Sequence, residues 1–127
     1  MFDYERIRTD MSQSKSNYPR RGEIYYIKKG TTTCTGSEIW SNRYAVIVSA
    51  NRLNRYSSVV QVVYITTKPK SKSSYHVDIS TEYVHRIAQC EQVTPIDKSR
   101  IGAYKGFLKP ALMRKIDHAI SSNLYLS

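Results

Sequence analysis

The chain has 127 residues, 40% of them apolar and 24% charged, a composition that suits one globular domain and excludes a disordered or fibrous protein. Its longest dense apolar run, VVQVVYI, is too short for a membrane span, and its charged start, MFDYERIRTD, lacks the apolar stretch of a secretion signal. Two cysteines, Cys34 and Cys90, are too few for a disulfide framework or a zinc site. We expect a soluble, cytoplasmic protein with reduced thiols and no membrane association.

Positive charge is concentrated in one part of the chain. Twenty Lys and Arg against ten Asp and Glu give a net charge of +10, which favours polyanionic or acidic partners. No acidic residue occurs between Ile39 and Val77, and this window contains Arg43, Arg52, Arg55, Lys68, Lys70 and Lys72. A solvated basic surface would also give this pattern, but so long a window without an acid favours a surface that binds a polyanion.

The sequence predicts a polar N-terminal arm followed by a series of strands and loops. Residues 1–20 are polar and aperiodic, which indicates an N-terminal arm, flexible unless it docks, before a single domain at 21–127. Runs rich in β-branched and aromatic residues predict strands at 22–29, 43–50, 58–67, 75–80 and 88–96. The polar segments between them predict a long loop at 29–42, a turn at 51–58 and a basic loop at 68–74.

The spacing of apolar residues changes in the C-terminal part of the chain. Apolar residues recur there at helical spacing, at Leu112, Met113, Ile116, Ala119, Ile120 and Leu124. Pro110 suits the first turn of a helix, so we expect a helix of about three turns that starts there. Five or six short strands and one helix, without regular βα alternation, predict a mostly β protein: a small antiparallel barrel with the helix at an open end.

Familiar catalytic motifs are absent from the sequence, which has no nucleophile elbow, phosphate-binding glycine loop or zinc-binding histidine pair. Three histidines are scattered: His76 lies in a predicted strand and could reach a groove, His85 stands alone, and His118 falls on the polar side of the helix. The basic window also lacks the clustered carboxylates that metal-dependent nuclease chemistry needs. Metal-free chemistry and non-enzymatic binding both remain open.

A family resemblance rests on an ordered series of segments: RRGEIYYI, GSEIWSNR before a buried strand, NRYS, VVYIT, YHVDI, EQVTPIDKSRIG and a terminal NLYL. From about Arg21 to the C-terminus, this series resembles the MazF/PemK toxins of type II toxin–antitoxin systems. The resemblance implies an SH3-like antiparallel barrel of the CcdB/MazF type with a C-terminal helix, working as a homodimer. It also implies a sequence-selective endoribonuclease that cleaves single-stranded RNA without metal or cofactor and is inhibited by an acidic cognate antitoxin.

The resemblance also assigns residues. The family's catalytic arginine and threonine correspond to Arg43 and Thr66. Matching family positions, together with neighbouring basic and polar residues, predict an RNA-binding set of Ser37, Glu38, Trp40, Asn54, Arg55, Ser57, Thr67, Lys68, Lys70 and Gln92. The usual family residues are replaced by Ile39, Tyr44 and Thr94, and the family's small, glycine-containing loop centre is replaced by Trp40, Ser41 and Asn42. These changes bear on base preference and loop mobility. Aromatic side chains interleaved with the basic ones could stack on RNA bases, namely Trp40, Tyr44, Tyr56, Tyr64 and Tyr75.

The implied chemistry is consistent with these residue types. RNA carries its own nucleophile, the 2′-OH, so the protein has to orient it and stabilise charge on the phosphorane, leaving a 2′,3′-cyclic phosphate and a 5′-OH. Arg43 can supply the charge stabilisation, although a guanidinium, which keeps its charge at any working pH, is a poor base. Thr66 can orient the substrate by hydrogen bonding. The alternative is a non-catalytic nucleic-acid-binding module, or a CcdB-like protein poison, on the same fold.

Overall fold

The structure, a computed structural model, describes residues 17–29, 43–67, 75–80 and 86–125. The elements in chain order are β1 (Glu23–Ile27), β2 (Arg43–Ile47), α1 (Asn51–Tyr56), β3 (Val59–Thr66), β4 (His76–Asp78), β5 (Ile87–Asp97), β6 (Ile101–Phe107) and α2 (Pro110–Asn123). A 3-10 turn, Lys98–Arg100, joins β5 to β6. Most of the predicted arm and of the loop at 29–42, and the whole loop at 68–74, fall outside the described residues.

The six strands form one antiparallel sheet in the order β4-β5-β3-β2-β1-β6. The mostly β class and the C-terminal helix are thereby confirmed. The sheet is not closed, however, so the expected barrel is corrected to an open sheet with β4 and β6 as its edges. Among the described residues, three-residue β4 is bonded to β5 alone and β6 is bonded to β1 alone with two shifts of register, so no described ladder joins the two edges.

Three elements differ from their sequence expectations. The polar turn at 51–58 contains the short helix α1, and β6 was not predicted because Gly102 and Gly106 weaken its strand signal. Helix α2 begins at Pro110 as expected but has fourteen residues, or about four turns. None of the helices among the described residues is long and apolar enough to span a bilayer.

The core lies on both faces of the sheet because neighbouring strand residues point to opposite sides. On one face Met113, Ile116 and Ala119 of α2 pack with buried sheet residues that include Val46 and Val63. On the other face a second buried cluster comprises Ile27, Ala45, Ile47, Val60, Val62 and Ile96. β2 and β3 carry buried residues on both faces, and the polar residues Arg43 and Thr66 stand at the ends of these strands.

Candidate RNA-binding and cleavage site

Arg43 and Thr66 lie next to each other at one end of the sheet. Arg43 is the first residue of β2 and Thr66 is the last residue of β3. The two strands are antiparallel with Tyr44 opposite Ile65, so Arg43 and Thr66 stand one residue beyond that pair. Residues directly opposite each other in such a ladder have Cβ atoms about 4.5–5.5 Å apart. The structure thus brings together the two residues that the sequence resemblance singled out as catalytic.

The same register places both side chains on the face away from α2. Ile65 belongs to the buried cluster under α2, and Tyr44 packs against that cluster. By strand alternation Arg43 and Thr66 point to the opposite face, where each is half-buried.

The side chain of Arg43 packs against the aromatic ring of Tyr64. The guanidinium carbon Cζ of Arg43 lies 5.6 Å from the centroid of the Tyr64 ring. Tyr64 faces Ala45 in the ladder, so Arg43 and Tyr64 are diagonal neighbours on one face. Within the described part of the chain, no carboxylate lies within ion-pair distance of Arg43. The contact with Tyr64 therefore holds the guanidinium in place, and no described carboxylate neutralises its positive charge.

Tyr44 has a different environment from Tyr64. Its ring makes an edge-on contact with Tyr26 at 5.8 Å between centroids, and the ammonium of Lys105 lies 5.5 Å from its centroid. These contacts occur on the α2 face, where Tyr75 also packs against the core. Tyr44 and Tyr75 therefore pack against the cluster under α2, whereas Tyr64 packs against the cluster on the other face and contacts the Arg43 guanidinium.

The NRYS segment lies at the opposite end of the sheet. From Arg43, β2 runs toward α1, and β3 returns over eight residues to Thr66, a length of about 23 Å at ~3.3 Å per residue. Arg55 and Ser57 are thus separated from Thr66 within one chain. Arg55 is exposed with its guanidinium 5.3 Å from the centroid of the Tyr56 ring, which is 75% exposed.

Asn54 does not face the solvent, although the resemblance places it in the RNA-binding set. It is fully buried, and its Oδ1 accepts a hydrogen bond from the Ser49 hydroxyl. Its Nδ2 donates to the Ser49 carbonyl at 2.9 Å, and the Ser49 hydroxyl in turn accepts from the backbone N–H of Gln61 at 3.0 Å. Asn54 therefore fixes the connection between β2 and β3, with its amide buried and bonded to Ser49.

The remaining predicted residues fall into three groups. Ser57 is structural at least in part, since its hydroxyl accepts from the backbone N–H of Val59 at 3.0 Å. Thr67 and Gln92 are exposed, and Gln92 lies where β5 bulges between its pairings with Val63 and Ile65. Ser37, Glu38, Trp40, Lys68 and Lys70 lie outside the described residues.

The structure adds a carboxylate–imidazole pair that the sequence analysis did not find. Nε2 of His76 on β4 lies 3.0 Å from Oε2 of Glu91 on β5. The second oxygen of Glu91, Oε1, is buried and has no hydrogen-bond partner among the described residues. The only sequence feature that pointed to this pair was an acidic residue, Glu91, next to Gln92 in a predicted strand. Its pairing with His76, fifteen positions away, depends on the tertiary fold.

The cysteine and the acidic residues contribute no site of their own in the described regions. Burial, followed by the negative charges of Glu91 and Asp117, raises the pKa of the Cys90 thiol to about 12, so this thiol is unreactive at neutral pH. No group of three or more His, Cys, Asp or Glu side chains in the described ranges could hold a metal ion.

Fold and site together define a small antiparallel β-sheet protein, with a helix on one face and an adjacent arginine and threonine on the other. A family model described as the PemK-like, MazF-like toxin of type II toxin–antitoxin systems matches residues 20–124. The chain belongs to this PemK/MazF toxin family.

Named relatives and solved structures agree with this assignment. Endoribonuclease MazF1 of Mycobacterium bovis and endoribonuclease MazF4 of Mycobacterium tuberculosis are each 27% identical over 110 residues, covering 87% of this chain and 96% of each relative. A mycobacterial endoribonuclease solved in complex with its cognate antitoxin has 26% identity and a TM-score of 0.70, covering 88% of this chain and 98% of that one. MazF of Deinococcus radiodurans shares the fold, with a TM-score of 0.71 at 17% identity, covering 87% of this chain and 99% of that one.

Proposed function

We propose that this chain is the toxin of a type II toxin–antitoxin system and acts in the cytoplasm as a metal-independent, sequence-selective endoribonuclease on single-stranded RNA. The observation that carries the proposal is the adjacency of Arg43 and Thr66 at the ends of β2 and β3. Support comes from the family match over residues 20–124 and from relatives that are named endoribonucleases.

The proposed reaction is transesterification within the RNA. The ribose 2′-oxygen attacks the adjacent phosphorus as the bond between phosphorus and the 5′-oxygen breaks. The proton that the 2′-OH gives up to solvent is matched by one that the 5′-oxygen takes up, leaving a 2′,3′-cyclic phosphate and a 5′-OH. Arg43 stabilises the negative charge on the phosphorane oxygens with its fixed fork of donors. Thr66 orients the phosphodiester through its hydroxyl, which favours in-line attack.

RNA binding follows from the charge and the exposed side chains. Arg55 and Tyr56 are both exposed at the α1 end of the sheet, and a base can stack on an aromatic or guanidinium face. Because about 23 Å of strand separates this end from Thr66, the two regions contact different parts of a bound RNA. In a homodimer, which we also propose, the α1 end of one subunit can extend the site of the other.

An acidic antitoxin is the proposed inhibitor. The chain has a net charge of +10, and a relative with 26% identity has been solved with its cognate antitoxin. An acidic segment that covers Arg43 would neutralise the charge on which phosphorane stabilisation depends.

The test is incubation of purified protein with 5′-labelled single-stranded RNA in EDTA, with sequencing of the new 5′ ends. We expect cleavage at a short motif by the wild type and by His118→Ala, and loss of cleavage in Arg43→Ala. Binding without scission by the wild type would instead indicate the non-catalytic alternative. Sedimentation that shows only monomer at micromolar concentration would refute the homodimer.

A further inference from the structure

Strand β5 contains a large bulge next to the proposed cleavage site. Between Val63 and Ile65, β3 has one residue, Tyr64, whereas the facing part of β5 has four, residues 89–92. A bulge takes its extra residues out of the regular ladder and changes the direction in which their side chains point. The side chains of this part of β5 therefore cannot be assigned to a face by simple alternation.

The bulge turns two consecutive side chains toward the face away from α2. Cys90 and Val93 both pack in the cluster under α2, although regular alternation would place residues three apart on opposite faces. The two residues between them, Glu91 and Gln92, therefore lie on the other face, where Tyr64 packs against the second cluster. The proposed cleavage site lies on that same face.

Of these two side chains, Gln92 is the one available to an RNA. Oε2 of Glu91 lies 3.0 Å from Nε2 of His76, whereas Gln92 is exposed. Strands β2 and β5 flank β3, so their axes are about 10 Å apart at ~4.8 Å per strand spacing, and Tyr64 lies between Gln92 and Arg43. An RNA whose phosphodiester is held by Arg43 can therefore present a neighbouring base to Gln92.

The C-terminal end of α2 holds the bulge in place. Asn123 is the last residue of the helix, and its Nδ2 lies 3.4 Å from the carbonyl oxygen of Cys90 and 3.3 Å from that of Glu91. One amide group thus donates to two consecutive carbonyls of the bulge. Because Ala119 of α2 belongs to the same buried cluster as Cys90, the packed helix provides a rigid support for this contact.

We propose that Asn123 is a positioning residue that sets the base preference of the Arg43–Thr66 site by fixing the bulge that carries Gln92. The amide of a glutamine both donates and accepts, so it can pair with the edge of an unstacked base. It discriminates among bases only when the backbone holds it in one position, because a mobile amide adapts to each of them. The proposal rests on the proposed function, since it requires that Gln92 contacts the RNA cleaved beside Arg43.

Asn123→Asp tests this role with little change of shape, because a carboxylate cannot donate to the two carbonyls. Ser122→Asp is the matched control, since it adds the same charge one residue earlier on α2. Single-turnover cleavage is measured on the RNA that the wild type prefers and on RNAs that differ from it by one base. We expect the discrimination at one base position to fall about fivefold or more in Asn123→Asp, and to stay within about twofold in Ser122→Asp.

A merely structural role of Asn123 predicts a different result. Loss of stability alone would lower the melting temperature and slow the cleavage of all RNAs by the same factor, so that the ratio between preferred and altered RNA would not change. An unchanged ratio in Asn123→Asp, or an equal loss in Ser122→Asp, would overturn the proposal.

A double-mutant cycle tests whether Asn123 acts through Gln92. Gln92→Ala should lose discrimination at the same base position as Asn123→Asp, and the double variant should lose no more than Gln92→Ala alone. Losses that add, or that fall at different base positions, would contradict the proposed coupling.

Equilibrium binding separates failure of this proposal from failure of the proposed function. Anisotropy titrations in an Arg43→Ala background use oligoadenylate, oligocytidylate and oligouridylate and require no cleavage. The spread of affinities among the three should narrow several-fold when Asn123→Asp is added and persist when Ser122→Asp is added, even if the wild type binds RNA without cleaving it. Equal affinities in the Arg43→Ala protein, or the same spread in all three proteins, would refute a positioning role for Asn123.

Discussion

The guanidinium of Arg43 lies over the ring of Tyr64, with 5.6 Å between Cζ and the ring centroid. This contact fixes the cation at the end of the β2–β3 ladder, where Thr66 is its neighbour across the strands. A flexible arginine would have to be ordered during each reaction, whereas one resting on an aromatic face is partly ordered beforehand. Tyr64 is thus a positioning residue in the proposed mechanism.

Substitution of Tyr64 tests that role. Tyr64→Phe keeps the aromatic face and should leave cleavage within about twofold of the wild-type rate. Tyr64→Leu removes a contact of about 0.5–1 kcal/mol, so cleavage should slow by roughly two- to fivefold. Single-turnover rates, with thermal unfolding as the control for folding, measure the effect; equal rates for Phe and Leu would contradict it.

Arg43 itself should have the largest effect on catalysis. Arg43→Ala is expected to reduce the single-turnover rate by at least ~10²–10³, the usual cost of removing one oxyanion donor. Arg43→Lys keeps the charge but loses the planar fork, so its rate should fall between those of the wild type and Ala. Retention of wild-type activity by Arg43→Ala, in a protein that melts normally, would refute the proposed mechanism.

Substitutions of Asn54 and Arg55 should distinguish an effect on the stability of the protein from an effect on RNA binding. Asn54→Ala leaves the Ser49 groups without their buried partner, which should lower the free energy of unfolding by about 1–3 kcal/mol in urea denaturation. Arg55→Ala should change stability by less than about 0.5 kcal/mol while weakening RNA binding. An Asn54→Ala protein of normal stability that binds RNA poorly would show that Asn54 contacts RNA.

RNA binding should depend strongly on salt. If about five basic side chains contact phosphates, the slope of log affinity against log salt should be near −3.5, at ~−0.7 per contact. Arg55→Ala should reduce the magnitude of that slope by about 0.7. Anisotropy titrations between low and moderate salt measure it, and a nearly flat dependence would exclude the basic window as the binding surface.

The buried thiol of Cys90 should contribute to alkaline unfolding. Burial raises its pKa from 9.0 to about 12, so between these values the native thiol keeps a proton that the unfolded chain releases. The contribution is therefore fully present below pH 9 and declines as the pH rises toward 12, by about 1.4 kcal/mol per pH unit.

Comparison with Cys90→Ala isolates this contribution, because every other ionisable group is common to both proteins. Urea denaturation at a series of pH values should show a shallower alkaline loss for Cys90→Ala, from a lower starting stability that reflects the cavity. Parallel pH profiles for the two proteins would show that Cys90 does not titrate as described.

Local pattern was sufficient for much of the fold. β-Branched runs predicted β2 and β3, and the helical spacing after Pro110 predicted the start of α2, because each of these patterns reports burial along its own element. β6 was not predicted because it contains two glycines, and it is stabilised by pairing with β1. The α1 helix was not predicted because its polar residues are typical of a turn. Closure of a barrel depends on pairing between strands distant in sequence, and the predicted barrel was wrong in that respect.

The sequence by itself determined the family, the excess of positive charge and the identity of Arg43 and Thr66 as the residues to examine, because motifs and composition are properties of the chain. Tertiary structure decided their neighbours. The antiparallel register places Arg43 beside Thr66 and over Tyr64. Asn54 is buried in the folded protein, and the length of β3 places Arg55 at the far end of the sheet. These relationships join residues through strand pairing and packing, which a linear pattern does not specify.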